Sequence, residues 1–166
     1  MARGTYREAI RIDRSGRRGS PIRIVASDGA KVVGDGGGRL IQIEGSFIVV
    51  RGFEISDADI LVWIQHAHGV RLARNLLHDA GSECVRIKYL ASDNVLAHNR
   101  IVRNRSHVPA ECVDVKEGSA RNPGGAQQLY RRPGPGQRRL LIARTAHALH
   151  RERLSGHGGR RYPPRW

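Results

Sequence analysis

Three segments of this chain repeat one pattern, and that repeat constrains the fold more than any other feature. Ile48–Ile55 reads IVVRGFEI, Val70–Leu77 reads VRLARNLL and Val95–Val102 reads VLAHNRIV. Val50, Leu72 and Leu96 hold equivalent places, 22 and then 24 residues apart. A second strand recurs beside the first: Glu83–Lys88 (ECVRIK) returns 28 residues later as Glu111–Lys116 (ECVDVK). Short strands recurring at such a period mark a solenoid, in which each repeat buries its apolar face only against its neighbours.

Period and alternation choose among solenoids. A leucine-rich repeat would carry a fixed L-x-x-L-x-L-x-x-N frame, which is absent. Helical repeats need longer segments at a period of 3.6, whereas these strands alternate at period 2. The expected fold is therefore all-β, a right-handed parallel β-helix of about four coils between Pro21 and Ser119. Alternation puts Val85 and Ile87 inside, with Cys84, Arg86 and Lys88 outside. One coil on, Val113 and Val115 lie inside, with Cys112, Asp114 and Lys116 outside. Coils stack at about 4.8 Å, so like positions sit above one another and Arg86 pairs with Asp114.

Corner chemistry fits the same plan. Asn75 and Asn99 recur where the chain leaves a strand, and asparagine both tolerates the left-handed conformation and bonds its neighbours. Gly45, Gly52, Gly69 and Gly81 punctuate other corners. The run Gly34–Gly38 lacks the Lys-Ser/Thr ending of a phosphate loop and is expected to be a turn. His66, His68, His78, His98 and His107 are scattered over the coils; His66 and His68 have a metal-compatible spacing but no third ligand close by, which favours surface positions.

The chain carries a net charge of +14, but unevenly. Met1–Ser119 holds 18 Lys and Arg against 14 Asp and Glu, whereas Ala120–Trp166 holds 11 Arg against the single acid Glu152. The expected organisation is thus a partial β-helix over 1–119 and a basic Arg/Pro/Gly-rich tail over 120–166, disordered apart from one helix across Gln137–Leu154. A reading-frame shift in a GC-rich gene accounts for such a tail, and binding of an anionic partner such as nucleic acid through the tail is the alternative. Two cysteines without a CxxC spacing point to neither a disulfide scaffold nor zinc, and reduced thiols are expected. No apolar run is long enough to span a membrane. The start has no secretory apolar segment, so the sequence as written implies a cytoplasmic chain.

The N-terminal segments Gly4–Ile12 (GTYREAIRI), Ser15-Gly16, Gly19–Ala26 (GSPIRIVA) and Asp28–Gly34 (DGAKVVG) resemble the opening of secreted pectate-lyase-like β-helix proteins, the alginate lyase and chondroitinase B class. The resemblance covers about Gly4–Ser119 and implies a truncated member with an aberrant tail, since the usual signal peptide and first strand are missing. It implies β-elimination on uronate sugars of an acidic polysaccharide, with calcium as cofactor. On the family's Glu-to-Lys spacing, Lys116 would be the base and Glu111 a calcium ligand, with Asn99 as an amide ligand one coil earlier. Arg86, Lys88 and Arg74, together with Arg71, would bind the anionic substrate. Glu83 and Lys88 show the same spacing one coil earlier, so a structural repeat accounts for it equally. With so few coils, a catalytically inert polysaccharide-acting protein is expected, a non-catalytic carbohydrate-binding β-helix being the alternative.

Overall fold

The computed structural model describes residues 1–104, 112–116, 118–122 and 128–130. These residues form thirteen strands, paired throughout in parallel. They wind as a β-helix with three faces, as the repeat predicts. On the first face, β3 (Ile22–Val25), β6 (Ile48–Arg51), β8 (Arg71–Ala73) and β10 (Val95–Ala97) stack in order. On the second, β1 (Gly4–Tyr6) and β4 (Ala30–Val33) lead into the first halves of two long strands, β7 (Glu54–Gln65) and β9 (Leu76–Lys88), then β11 (Arg100–Asn104) and β13 (Gln128–Tyr130). The third face stacks β2 (Ile10–Ile12), β5 (Arg39–Ile43), the second halves of β7 and β9, and β12 (Val113–Val115).

The registers anticipated from the repeat are observed. Val50 sits over Leu72 and Leu72 over Leu96. Val85 opposes Val113, with Arg86 opposite Asp114 and Ile87 opposite Val115. Inside the prism these columns become stacks of like apolar side chains, such as Val32, Ile55, Leu77 and Ile101, all buried. Burying each Val, Ile or Leu contributes about 1.5–3 kcal/mol, and the contribution repeats with every coil.

Two asparagine ladders hold the corners. At the corner between first and second faces, Asn75 Oδ1 accepts from Phe53 N (3.1 Å) and its Nδ2 donates to Val50 O (3.2 Å). Asn99 repeats this one coil on, accepting from Asn75 N at 3.0 Å and donating to Leu72 O at 3.0 Å. The opposite corner uses Asn94 and Asn122 alike, Asn94 accepting from Val70 N at 2.9 Å and Asn122 bonding Ala91 O at 3.0 Å. The left-handed residue at the first of these corners is not the asparagine, as expected, but the residue before it: Gly52 (φ 85°), Arg74 (φ 56°) and His98 (φ 54°). The asparagine must keep extended backbone to aim its amide along the stack.

Two further expectations are corrected. Cys84 does not point outward; it is fully buried in the core, and Cys112 follows it. The cause is the bend joining the second and third faces, where Ala58 pairs with Ala80 but Ile60 pairs with Glu83. The extra residue breaks strict alternation, so Leu61 and Cys84 turn inward beside Val62 and Val85. The parallel stack also continues past Ser119. Asn122 Oδ1 accepts from Asn94 N at 2.9 Å, Arg121 takes the left-handed corner position (φ 51°), and β13 pairs with β11. The helix expected over Gln137–Leu154 lies outside the described residues.

Candidate functional site

The third face carries the densest group of polar and aromatic side chains. Its outward column runs Arg11, Gln42, Trp63, Arg86, Asp114, one residue per coil. Two residues along each strand, the next column includes Glu44, Gln65, Lys88 and Lys116. Stacking therefore gathers residues that are 21 to 31 apart in sequence.

Trp63 is the hub. Arg39 lies over its ring with the guanidinium carbon 3.6 Å from the centroid, and Arg86 and Lys88 approach at 5.1 and 5.9 Å. Tyr89 lies beside it at 6.5 Å, covered by Lys88 at 4.5 Å and stacked on His66 at 5.6 Å. With 3% exposure, the indole is a floor beneath the cations rather than an open platform. Its Nε1 donates to Gln65 Oε1 (2.8 Å), and Gln65 donates on to Glu44 Oε1 (2.6 Å). Glu44 also accepts from Gln42 at 2.5 Å and Arg11 at 2.6 Å. The Gln42 bond outweighs the opposing cost of burial, and with Arg11 and Gln65 it holds the Glu44 carboxyl below its ordinary range.

Toward the later coils the charges alternate. Arg86 bonds Glu83 and lies 3.8 Å from Asp114, the pair expected across the stack. Asp114 in turn accepts from Lys116 Nζ at 2.8 Å. Among the described residues this patch sets Arg39, Arg86, Lys88 and Lys116 against Glu83 and Asp114, an excess of two positive charges.

The residues singled out from sequence are only partly assembled. Arg86, Lys88 and Lys116 share the third face, and Lys116 is exposed. Arg74 sits just before β9, at the far end of that strand from Arg86, and Arg71 lies on the first face. Asn99 does not suit a calcium ligand: it is 2% exposed, and its Oδ1 already accepts from Asn75 N and Nδ2, at 3.0 and 3.1 Å. Glu111 and His107 lie outside the described residues. Among the described residues no three His, Cys, Asp or Glu side chains converge on a metal position. Sequence reading missed Trp63, Arg39 and Tyr89. The cue was available, since Leu40–Ile43, Leu61–Ile64 and Cys84–Ile87 follow the same two-dozen-residue period as the named repeats.

A smaller cluster lies on the second face. Glu54 accepts from Lys31 Nζ (2.9 Å to Oε2) and faces His78 Nε2 (3.3 Å), while His78 Nδ1 meets Asp79 Oδ2 at 2.6 Å. Burial raises the Glu54 carboxyl, but bonds from Lys31 and His78 outweigh it and leave the group below its ordinary range.

The alginate lyase from Paenibacillus sp. strain FPU-7 superposes with a TM-score of 0.63 at 20% sequence identity, over 77% of this chain and 57% of that one. The shared property is the fold. This chain thus spans little more than half the length of that enzyme. No protein-family model matches the sequence, and no curated protein matches it. The β-helix inferred from the repeat is therefore also the architecture of a polysaccharide-cleaving enzyme.

Proposed function

We propose that this chain is a polysaccharide-acting β-helix of the lyase type that binds a uronate-containing chain along its third face without turning it over as it stands. The observation that carries the reading is the gathering of Arg39, Arg86 and Lys88 around Trp63, in a patch whose cations outnumber its carboxylates among the described residues. An acidic polysaccharide presents a carboxylate on successive sugars, and the third face presents Lys88 and Lys116 on successive coils beside Arg39 and Arg86. Guanidinium groups match carboxylates in a two-pronged geometry, and the apolar floor beneath them strengthens each contact by excluding water. The enzyme of like fold is an alginate lyase, which supports the substrate class.

Lys116 supports the non-catalytic part: a base must offer a lone pair, whereas Lys116 Nζ is engaged as a donor to Asp114 at 2.8 Å. The test uses tryptophan emission in a Trp166→Phe background, which leaves Trp63 as the reporter. Titration with oligoguluronate should shift the emission, and Arg39→Ala with Lys88→Ala should weaken binding about ten-fold, about 1.4 kcal/mol. Unchanged emission together with undetectable binding would overturn the proposal. Accumulation of unsaturated uronate product in the presence of calcium would overturn the non-catalytic part alone.

A further inference from the structure

A second concave surface lies away from the site just described. On the first face an open groove of about 700 Å³ is lined by Arg17, Arg18, Arg23 and Arg71, with Val49 and Val95 between them. The outward column here reads Arg23, Val49, Arg71, Val95, coil after coil. Arg17 and Arg18 reach the groove from a tight turn closed by Arg17 N to Ser20 O (3.0 Å) and Ser20 N to Arg17 O (2.9 Å). Phe47 closes one end, packed over Gly69, where an added Cβ would lie 2.7 Å from the ring.

All four arginines are exposed, and none has a carboxylate partner among the described residues. The one acid in the lining, Asp93, is taken by Arg121 through bonds of 2.6 and 2.7 Å. Four guanidinium groups around an apolar trough are thus left without local compensation. Arg23 and Arg71 stand two coils apart, about 9.6 Å, close enough to act together and far enough to limit mutual repulsion.

We propose that this groove is a second binding site for an acidic polysaccharide, so that one chain of this protein engages the polymer on two faces. The basic segment 120–166 is excluded as the occupant by its own charge, 11 Arg against one Glu. A single-stranded nucleic acid would need rings spaced along the trough to stack successive bases, whereas the two rings in the lining, Phe47 and the exposed His68, meet edge-on at 5.8 Å, with Phe47 packed over Gly69. A sugar chain needs only charge partners and an apolar trough. The inference goes beyond the third-face proposal and stands on different residues.

Arginine-selective modification with phenylglyoxal, mapped by mass spectrometry on the full chain, tests it. An oligouronate should protect Arg17, Arg18, Arg23 and Arg71 about five-fold or more, as expected for sites occupied at several times Kd. The double variant Arg23→Ala, Arg71→Ala should abolish protection at Arg17 and Arg18 while protection at Arg39 persists. A sulfated oligosaccharide run in parallel separates carboxylate from sulfate as the recognised anion. Protection confined to Arg39 and Arg86 would overturn this inference and leave the third-face reading intact. Protection confined to the groove would do the reverse. Stronger protection by a DNA oligonucleotide would overturn the choice of polymer.

Discussion

The first and third faces are built by the same stacking rule, yet they treat positive charge differently. On the third face Arg86 lies between Glu83 and Asp114 and against Trp63, so its charge is largely met by its own coil and the next. On the first face Arg23 and Arg71 alternate with Val49 and Val95, and nothing described meets them. In a parallel stack every column repeats at about 4.8 Å, so adjacent like charges are costly and the chain has two ways out. It can interleave opposite charges, which rigidifies a surface, or interleave apolar residues, which keeps the cations available. The first solution gives a self-satisfied floor with a modest surplus; the second gives a surface that still requires an anion.

If that contrast is right, stability should respond to third-face substitutions and hardly at all to first-face ones. The largest effect belongs to the corner between the first and second faces, through which every coil passes. Asn99→Ala removes the acceptor for Asn75 N and the donor to Leu72 O, stranding buried backbone groups, and should cost about 3 kcal/mol in urea unfolding. A loss below about 1 kcal/mol would show that the ladder is not what sets the corner. Asp114→Ala comes next. It leaves Arg86 and Lys116 without their shared acid, and a loss of about 2 kcal/mol is expected. Retained stability in Asp114→Ala would mean that Glu83 alone compensates Arg86, weakening the contrast between faces.

The vertical neighbours were legible in the sequence because a β-helix stacks like on like: Val50, Leu72 and Leu96, and Val85 with Val113, are readable once the period is found. Directions at bends were not. Strict alternation assumes a straight strand, and the irregularity at Ala58–Ile60 turned Cys84 inward against that assumption. Burial and its hydrogen bond to Cys112 then push the Cys84 thiol well up, the bond being the larger cause, so it stays protonated. The candidate site was half legible. Arg86, Lys88 and Lys116 sit in the obvious repeat, but Trp63 and Arg39 come from coils whose sequences share only their period. The extension to Asn122 and β13 was hidden by an arginine- and glycine-rich composition that masks the ladder asparagine.

Acid should separate the faces next. Among the described residues, the carboxyls held below their ordinary range are Glu44 on the third face, Glu54 on the second and Asp93 beside the first, where the Arg121 bond is the main cause. A depressed folded value means that the stabilisation is fully present above the unfolded values, about 3.9–4.3, and is lost as pH falls through the folded ones. Stability should therefore be flat from neutral pH down to about 5 and fall below about 4. Glu44→Gln should remove part of that acid limb, and an unchanged limb in this variant would show that the Gln42–Glu44–Arg11 bonds contribute nothing to it.

The smallest stability effect is also the sharpest test of the comparison. Arg39→Ala should cost about 0.5–1 kcal/mol, the size of a surface cation–π contact, because its guanidinium covers Trp63. Arg71→Ala should lie within about 0.5 kcal/mol of the parent, since that side chain is exposed and meets no described partner. It follows that the ordering by stability and the ordering by salt-sensitive polyanion binding should be reversed at these two positions. An arginine already resting on an indole has part of its interaction energy satisfied before any ligand arrives, whereas one standing between two valines has none. Measuring both variants by urea unfolding and by oligouronate binding at two salt concentrations decides the matter. If Arg71→Ala destabilises the fold as much as Arg39→Ala does, the first face is compensated after all and the division of labour between the faces fails.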